Sequence, residues 1–99
     1  MKETINYAFQ ILRLASMLQA ADIPFEIRPL YEGYQICYPS INNRTSDAVC
    51  HGFSYGHETG LLEIMGLVNE EEVGDSVEGW LTAEEVFERW KTHWSSKGE

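Results

Sequence analysis

The chain has 99 residues, seven Lys plus Arg against sixteen Asp plus Glu, and a net charge of −9, a length that gives one core and leaves no room for a second. Leu, Ile, Val and Phe together number 24, above the ~20% below which charged chains tend to stay disordered, so one packed domain over 1–99 is expected. The charge disfavours unaided binding to nucleic-acid backbones or anionic lipid. No apolar run approaches the ~20 residues of a membrane-spanning helix, and Met1-Lys2-Glu3-Thr4 lacks the features of a secretory signal, which predicts a cytoplasmic protein.

Residues 3–21 carry only Glu3 and Arg13 as charges, with Ile5, Ala8, Phe9, Ile11, Leu12, Ala15, Leu18 and Ala21 at helical spacing, and so predict a long N-terminal helix. Tyr7, Leu14 and Met17 widen its apolar arc beyond the ~100° stripe a single core contact needs, which points to a second subunit and a homodimer. Asp22-Ile23-Pro24 ends the helix, because proline lacks the donor to continue it and restricts the residue before it.

Residues 25–31 and 34–38 alternate and are rich in aromatic and β-branched types, with Glu32-Gly33 between them, and read as a hairpin. Pro29 places the first of these strands at an edge or at a bulge. Residues 39–47 read as a loop, and 48–53 as a third short strand. A glycine-rich turn then leads into a helix expected over 61–66, with Leu61, Leu62, Ile64 and Met65 as its apolar face and Ser54 as N-cap. Residues 76–80 suggest a fourth strand, weakened by Gly74 and Gly79. Thr82-Ala-Glu-Glu85 fits a capping box, Leu81 and Val86 a hydrophobic staple, and Val86, Phe87, Trp90 and Trp94 the buried stripe of a last helix. The expected fold is α+β: a long N-terminal helix packed on a small antiparallel sheet of three or four strands, followed by two shorter helices.

Charge divides unevenly. Up to His51, four bases nearly balance five acids; from Gly52 onward three bases meet eleven acids, among them Glu70, Glu71, Glu72, Asp75 and Glu78. Such a run reads as a solvated face that keeps a small protein dispersed, or as a surface that docks on a basic groove of another protein.

The richest stretch chemically is Asp47 to Gly60, where glycines accompany hydroxyl, imidazole and carboxylate groups at an expected strand-to-helix junction. A helix N-terminus there would offer unpaired N–H groups to an anion. Candidate ligand residues are therefore Ser54, Tyr55, Gly56 and His57, with Arg28 and Arg44 for phosphates. The glycine spacing fits neither a Walker loop nor the dinucleotide fingerprint. Among the aromatic residues Tyr55 stands out, because no periodicity buries it.

No metal site and no cofactor are expected. Cys37, Cys50, His51 and His57 could supply zinc ligands, but adjacent strand residues face opposite ways and no Cys-x-x-Cys knuckle is present. An enzyme would need His51, His57 and Glu58 to converge, and no nucleophile signature supports one.

Asp47 to Leu67, with Gly79-Trp-Leu-Thr-Ala-Glu-Glu-Val-Phe87 downstream, resembles a group of short proteins encoded in phages and prophages of gut Gram-positive bacteria, and the similarity runs over nearly the whole chain. The resemblance implies a genomic setting and assigns no site. By analogy with small acidic phage proteins, it suggests counter-defence. One form is a sponge that sequesters a small nucleotide immune signal, here at the glycine turn. The alternative is an anti-CRISPR-like acidic inhibitor that docks on a basic nucleic-acid-binding groove of a host protein through Glu70, Glu71, Glu72, Asp75 and Glu78.

Overall fold

The computed structural model describes residues 6–68 and 76–97. Along the chain these form α1 (Ala8–Ala20), β1 (Glu26–Leu30), β2 (Gly33–Pro39), β3 (Arg44–Cys50), a 3-10 turn (His57–Thr59), β4 (Leu62–Met65), β5 (Val77–Leu81) and α2 (Ala83–Lys97). The five strands make one antiparallel sheet whose spatial order is their chain order, a meander with β1 and β5 at its edges.

One face of the sheet carries the core. Ile36 and Tyr38 of β2, Ala48 and Cys50 of β3, Leu62 and Ile64 of β4, and Leu81 of β5 pack with Ile11, Leu14 and Leu18 of α1 and Val86 and Trp90 of α2. The opposite face is laid out by the register rows Arg28-Gln35-Val49-Glu63 and Glu26-Cys37-Asp47-Met65-Val77. The helix α1 packs across β2, β3 and α2. Gln10 Oε1 accepts the Ala83 N–H at 2.8 Å, and Arg13 forms an ion pair with Glu84.

The class is α+β as expected, but the architecture differs from the expected one: five strands rather than three or four, and two helices rather than three. Residues 61–66, expected as the middle helix, supply β4. Gly60 and Gly66 bracket this segment at φ 72° and 82°, left-handed conformations that close a helix at both ends. Between them Leu62 and Ile64 are fully buried while Glu63 and Met65 point to the other face, a period of two. Because β4 then needs a return partner, residues 77–81 complete the sheet as β5.

The N-terminal helix is also shorter than its expected span. Its first helical residue is Ala8, whose N–H is accepted by Asn6 Oδ1 at 2.9 Å; residues 1–5 lie outside the described residues. The expected loop at 39–47 shrinks to 40–43, because β3 starts at Arg44. Ser46 faces the core, accepting from Trp90 Nε1 at 3.0 Å. Pro29 does lie on an edge strand, opposite Tyr34. At α2 the capping box forms in both directions, Thr82 N–H to Glu85 Oε1 at 2.9 Å and Glu85 N–H to Thr82 Oγ1 at 3.3 Å. Within the expected stripe Val86 and Trp90 are buried, whereas Phe87 and Trp94 are only partly so.

Candidate functional site

The segment between β3 and β4 is a folded turn rather than a helix start. Ser54 is buried, and its hydroxyl accepts the His51 N–H at 3.0 Å and donates to the His51 carbonyl at 3.1 Å. His57 N–H is bonded to the Ser54 carbonyl, Thr59 and Leu61 N–H to that of Gly56, and Gly60 N–H to that of His57. The Tyr55 N–H is taken by the Glu63 carboxylate at 2.8 Å. The α-helix that would have offered unpaired N–H groups to an anion is absent, and a carboxylate already occupies the Tyr55 donor.

His57 points away from this exchange. Its Nδ1 lies 3.4 Å from the Tyr7 hydroxyl and its Nε2 3.9 Å from Glu58, so the ring ties the loop to the start of α1. Arg28 and Arg44 do not converge on the turn. Arg28 Nε donates to Gln35 Oε1 at 2.7 Å, Gln35 Nε2 donates to Asp47 Oδ2, and Arg44 approaches the same oxygen at 3.8 Å. Arg44 opens β3 while the turn leaves its far end, a separation of roughly 20 Å at ~3.3 Å per residue. Both arginines thus serve a polar chain on the helix-free face.

His51, at the base of the turn, is held neutral. Burial pushes its pKa down, Glu63 opposes that shift and His57 adds to it. Its Nδ1 accepts the Phe53 N–H at 3.1 Å, so the lone pair a general base would use is already engaged. Cys37 and Cys50 lie on opposite faces of the sheet, since Cys37 pairs with Asp47 and Cys50 with Tyr34, and cannot share an ion. Burial raises the Cys50 pKa to about 11. Of the acidic residues read as a partner surface, Glu78 is bonded through both oxygens to Arg89, at 2.8 and 3.3 Å. Glu70, Glu71, Glu72 and Asp75 lie outside the described residues.

What the turn does build is an aromatic surface. Tyr55 and Trp80 stack with ring centroids 5.7 Å apart and planes within 6°, yet remain 58% and 59% exposed. The backbone is shaped for this pair. A side chain at Gly79 would strike the Tyr55 Cβ, and one at Gly56 would meet the Trp80 nitrogen at 2.9 Å. The Trp80 N–H donates to the Tyr55 carbonyl at 3.3 Å. A second ring group forms at the end of β3, where Tyr31 and Phe53 meet edge to face at 5.5 Å and Tyr31 meets His51 at 5.2 Å, with Tyr31 62% and Phe53 78% exposed.

Tyr31 and Trp80 both sit at positive φ, 47° and 56°. Such conformations cost a residue with a side chain about 1 to 3 kcal/mol and persist where surrounding structure enforces them, often at functional sites. Tyr55 was legible as a ligand candidate because nothing periodic buries it. Glu63 and the pairing of Trp80 with Tyr55 were not, since residues 61–66 read as helical and the strand expected over 76–80 returns beside the turn only because β4 is a strand.

Comparison with protein-family models, curated proteins and solved structures finds no match. Among the described residues no helix is long and apolar enough to cross a membrane, and no cluster of three or more His, Cys, Asp or Glu could hold a metal ion.

Proposed function

We propose that this chain is a phage-type counter-defence binding protein that docks on a basic nucleic-acid groove of a host protein, in the host cytoplasm, with the Tyr55–Trp80 stack as its anchor. The observation that carries this reading is the parallel, half-exposed stack itself. Grooves that bind single-stranded nucleic acid combine cationic side chains for phosphates with platforms for stacked bases. A surface of stacked rings flanked by carboxylates offers the same two chemistries from the other side. The chain has no Lys or Arg between Arg44 and Arg89, so the rings arise from a stretch whose only formal charges are negative. Glu32 follows Tyr31, Glu58 lies in the turn, and Glu63 of β4 bonds the Tyr55 N–H. Exposed Tyr, Trp and Phe are also the side chains that most often dominate protein interfaces.

The nucleotide-sponge reading retains the rings as a base platform but has less support at the phosphate. The Glu63 carboxylate stands at the Tyr55 N–H, and Arg28 and Arg44 are engaged elsewhere.

The test is competition. The purified chain is titrated against labelled single-stranded nucleic acid bound to a panel of basic effector nucleases, with native mass spectrometry against cyclic and ADP-ribose-type nucleotides in parallel. Displacement by the wild type, weakened at least tenfold by Trp80→Ala or Tyr55→Ala, supports the docking reading. Nucleotide binding without displacement transfers the site to the sponge reading, and displacement indifferent to both substitutions rejects the anchor.

A further inference from the structure

We propose that the open edge of β1 is a self-docking surface, on which a second copy of this chain pairs antiparallel about Ile27. This rests on β1 and α1 and is independent of the aromatic surface. The strand β1 ends the sheet, and residues 26–29 are all exposed. The register places Ile27 opposite Ile36, hence on the helix side, but α1 packs chiefly across β2 and β3 and leaves that margin partly open. Ile27 and Tyr34 are consequently 43% and 38% exposed, and Leu12 of α1 is 60% exposed. Gln10 and Arg13 engage α2, so at ~100° per residue Leu12 falls on the flank of α1 turned away from α2.

The backbone along this edge fits only certain registers. Alternate residues of an edge strand turn their N–H and C=O groups inward to the ladder and outward to solvent. Pro29 is accommodated without loss to the β1–β2 ladder where its nitrogen faces outward. Ile27, two residues earlier, then shares that direction and presents a donor and an acceptor to the free edge. Pairing Ile27 with Ile27 of a second copy uses both groups twice around a two-fold axis.

The side chains agree with this register. With Ile27 on the axis, Glu26 of each copy lies opposite Arg28 of the other, giving two opposite-charge pairs on the helix-free face and an Ile–Ile contact on the helix side. Glu26 uses Oε1 for the Ile41 N–H and Arg28 uses Nε for Gln35, which leaves Glu26 Oε2 and the two terminal Arg28 nitrogens to meet the second copy. A neutral strand is also where two chains of net charge −9 can approach with least repulsion. The unpaired N–H and C=O groups of this edge are a template for another strand, and Pro29, which has no donor to offer, confines the pairing to the Glu26–Arg28 stretch about Ile27.

Sedimentation analysis at micromolar concentrations, with circular dichroism as a check on folding, tests the proposal. The wild type should form a dimer, and Ile27→Lys should make it monomeric. Glu26→Arg and Arg28→Glu should each weaken the dimer about tenfold or more by setting like charges opposite one another. The double exchange should recover it, because the same pairs re-form with their signs reversed. A wild type that stays monomeric overturns the proposal. So does a dimer that either single exchange leaves intact, or a folded double exchange that does not recover.

Discussion

The indole of Trp90 donates to the Ser46 hydroxyl at 3.0 Å, and the same hydroxyl reaches the carbonyls of Gly66 at 2.6 Å and Met65 at 2.9 Å. One small side chain thereby ties α2 to β3 and to the end of β4, inside a core in which Trp90 and Ser46 are both buried. Ser46→Ala removes the acceptor of the indole and the donor to a buried carbonyl. Leaving buried polar groups unpaired costs about 1 to 3 kcal/mol, and the shift should appear in the urea midpoint with an unchanged slope. Trp90 should also lose its immobilised near-ultraviolet signal.

At the other end of α2, Thr82→Ala should cost about 1 kcal/mol by freeing the Glu85 N–H. Glu85→Ala should cost a similar amount through the Thr82 N–H, and the double variant should cost less than the sum, because each side chain also bonds the other at 3.1 Å. Additive losses would show that the two halves of the cap act separately. Neither change should alter binding through Tyr55 and Trp80, whose ring stack and backbone bond involve neither Thr82 nor Glu85.

The readable parts of this chain were those whose partners are near in sequence. The β1–β2 hairpin shows in alternation around Glu32-Gly33, and the start of α2 in Thr82 and Glu85, three residues apart. The strand β4 was hidden because Leu61, Leu62, Ile64 and Met65 surround one polar residue and give no period, so that only the left-handed glycines at 60 and 66 decide between helix and strand. The first half of β3, Arg44 to Asp47, looked like a loop because its polar side chains are paid for by distant partners: Trp90 and Gly66 for Ser46, Gln35 for Asp47. The same distance hid the site. Tyr55 was visible alone, but its bond to Glu63 and its stack with Trp80 depend on β4, which read as a helix, and on the return of the strand expected over 76–80 beside it.

The β1–β2 turn offers a separation of stability from recognition. Tyr31 and Glu32 are both at positive φ, 47° and 66°, between the paired residues Leu30 and Gly33. A two-residue turn of this kind favours Asn-Gly, whose side chains tolerate the left-handed region. Replacing Tyr31 by Asn and Glu32 by Gly together should raise stability by about 1 kcal/mol, offset in part by the lost edge-to-face contacts of Tyr31 with Phe53 and His51. If Tyr31 belongs to the docking surface, the same double variant should bind its partner more weakly while melting higher. A variant that melts lower would mean that the aromatic contacts outweigh the backbone strain.

Acid should destabilise the fold well before its carboxylates protonate. Burial lowers the pKa of His51, with Glu63 opposing and His57 adding, and burial together with Lys97 lowers that of His93, whose Nδ1 lies 2.7 Å from the Tyr38 hydroxyl. In the unfolded chain both imidazoles titrate near ~6.5. Above that value they are neutral in both states and the melting temperature should be flat. As pH falls below it, the unfolded chain takes up protons first, so stability declines progressively down to the lowered folded-state pKa values. Protonating His51 would also remove the lone pair that accepts the Phe53 N–H, loosening the turn that presents Phe53 and Tyr55. Melting temperatures measured from about pH 7.5 to about pH 5.5 should therefore fall in the wild type. The fall should be shallower in His51→Gln and in His93→Gln and nearly absent in the double variant. An equal slope in all four proteins would assign the acid sensitivity to the carboxylates instead.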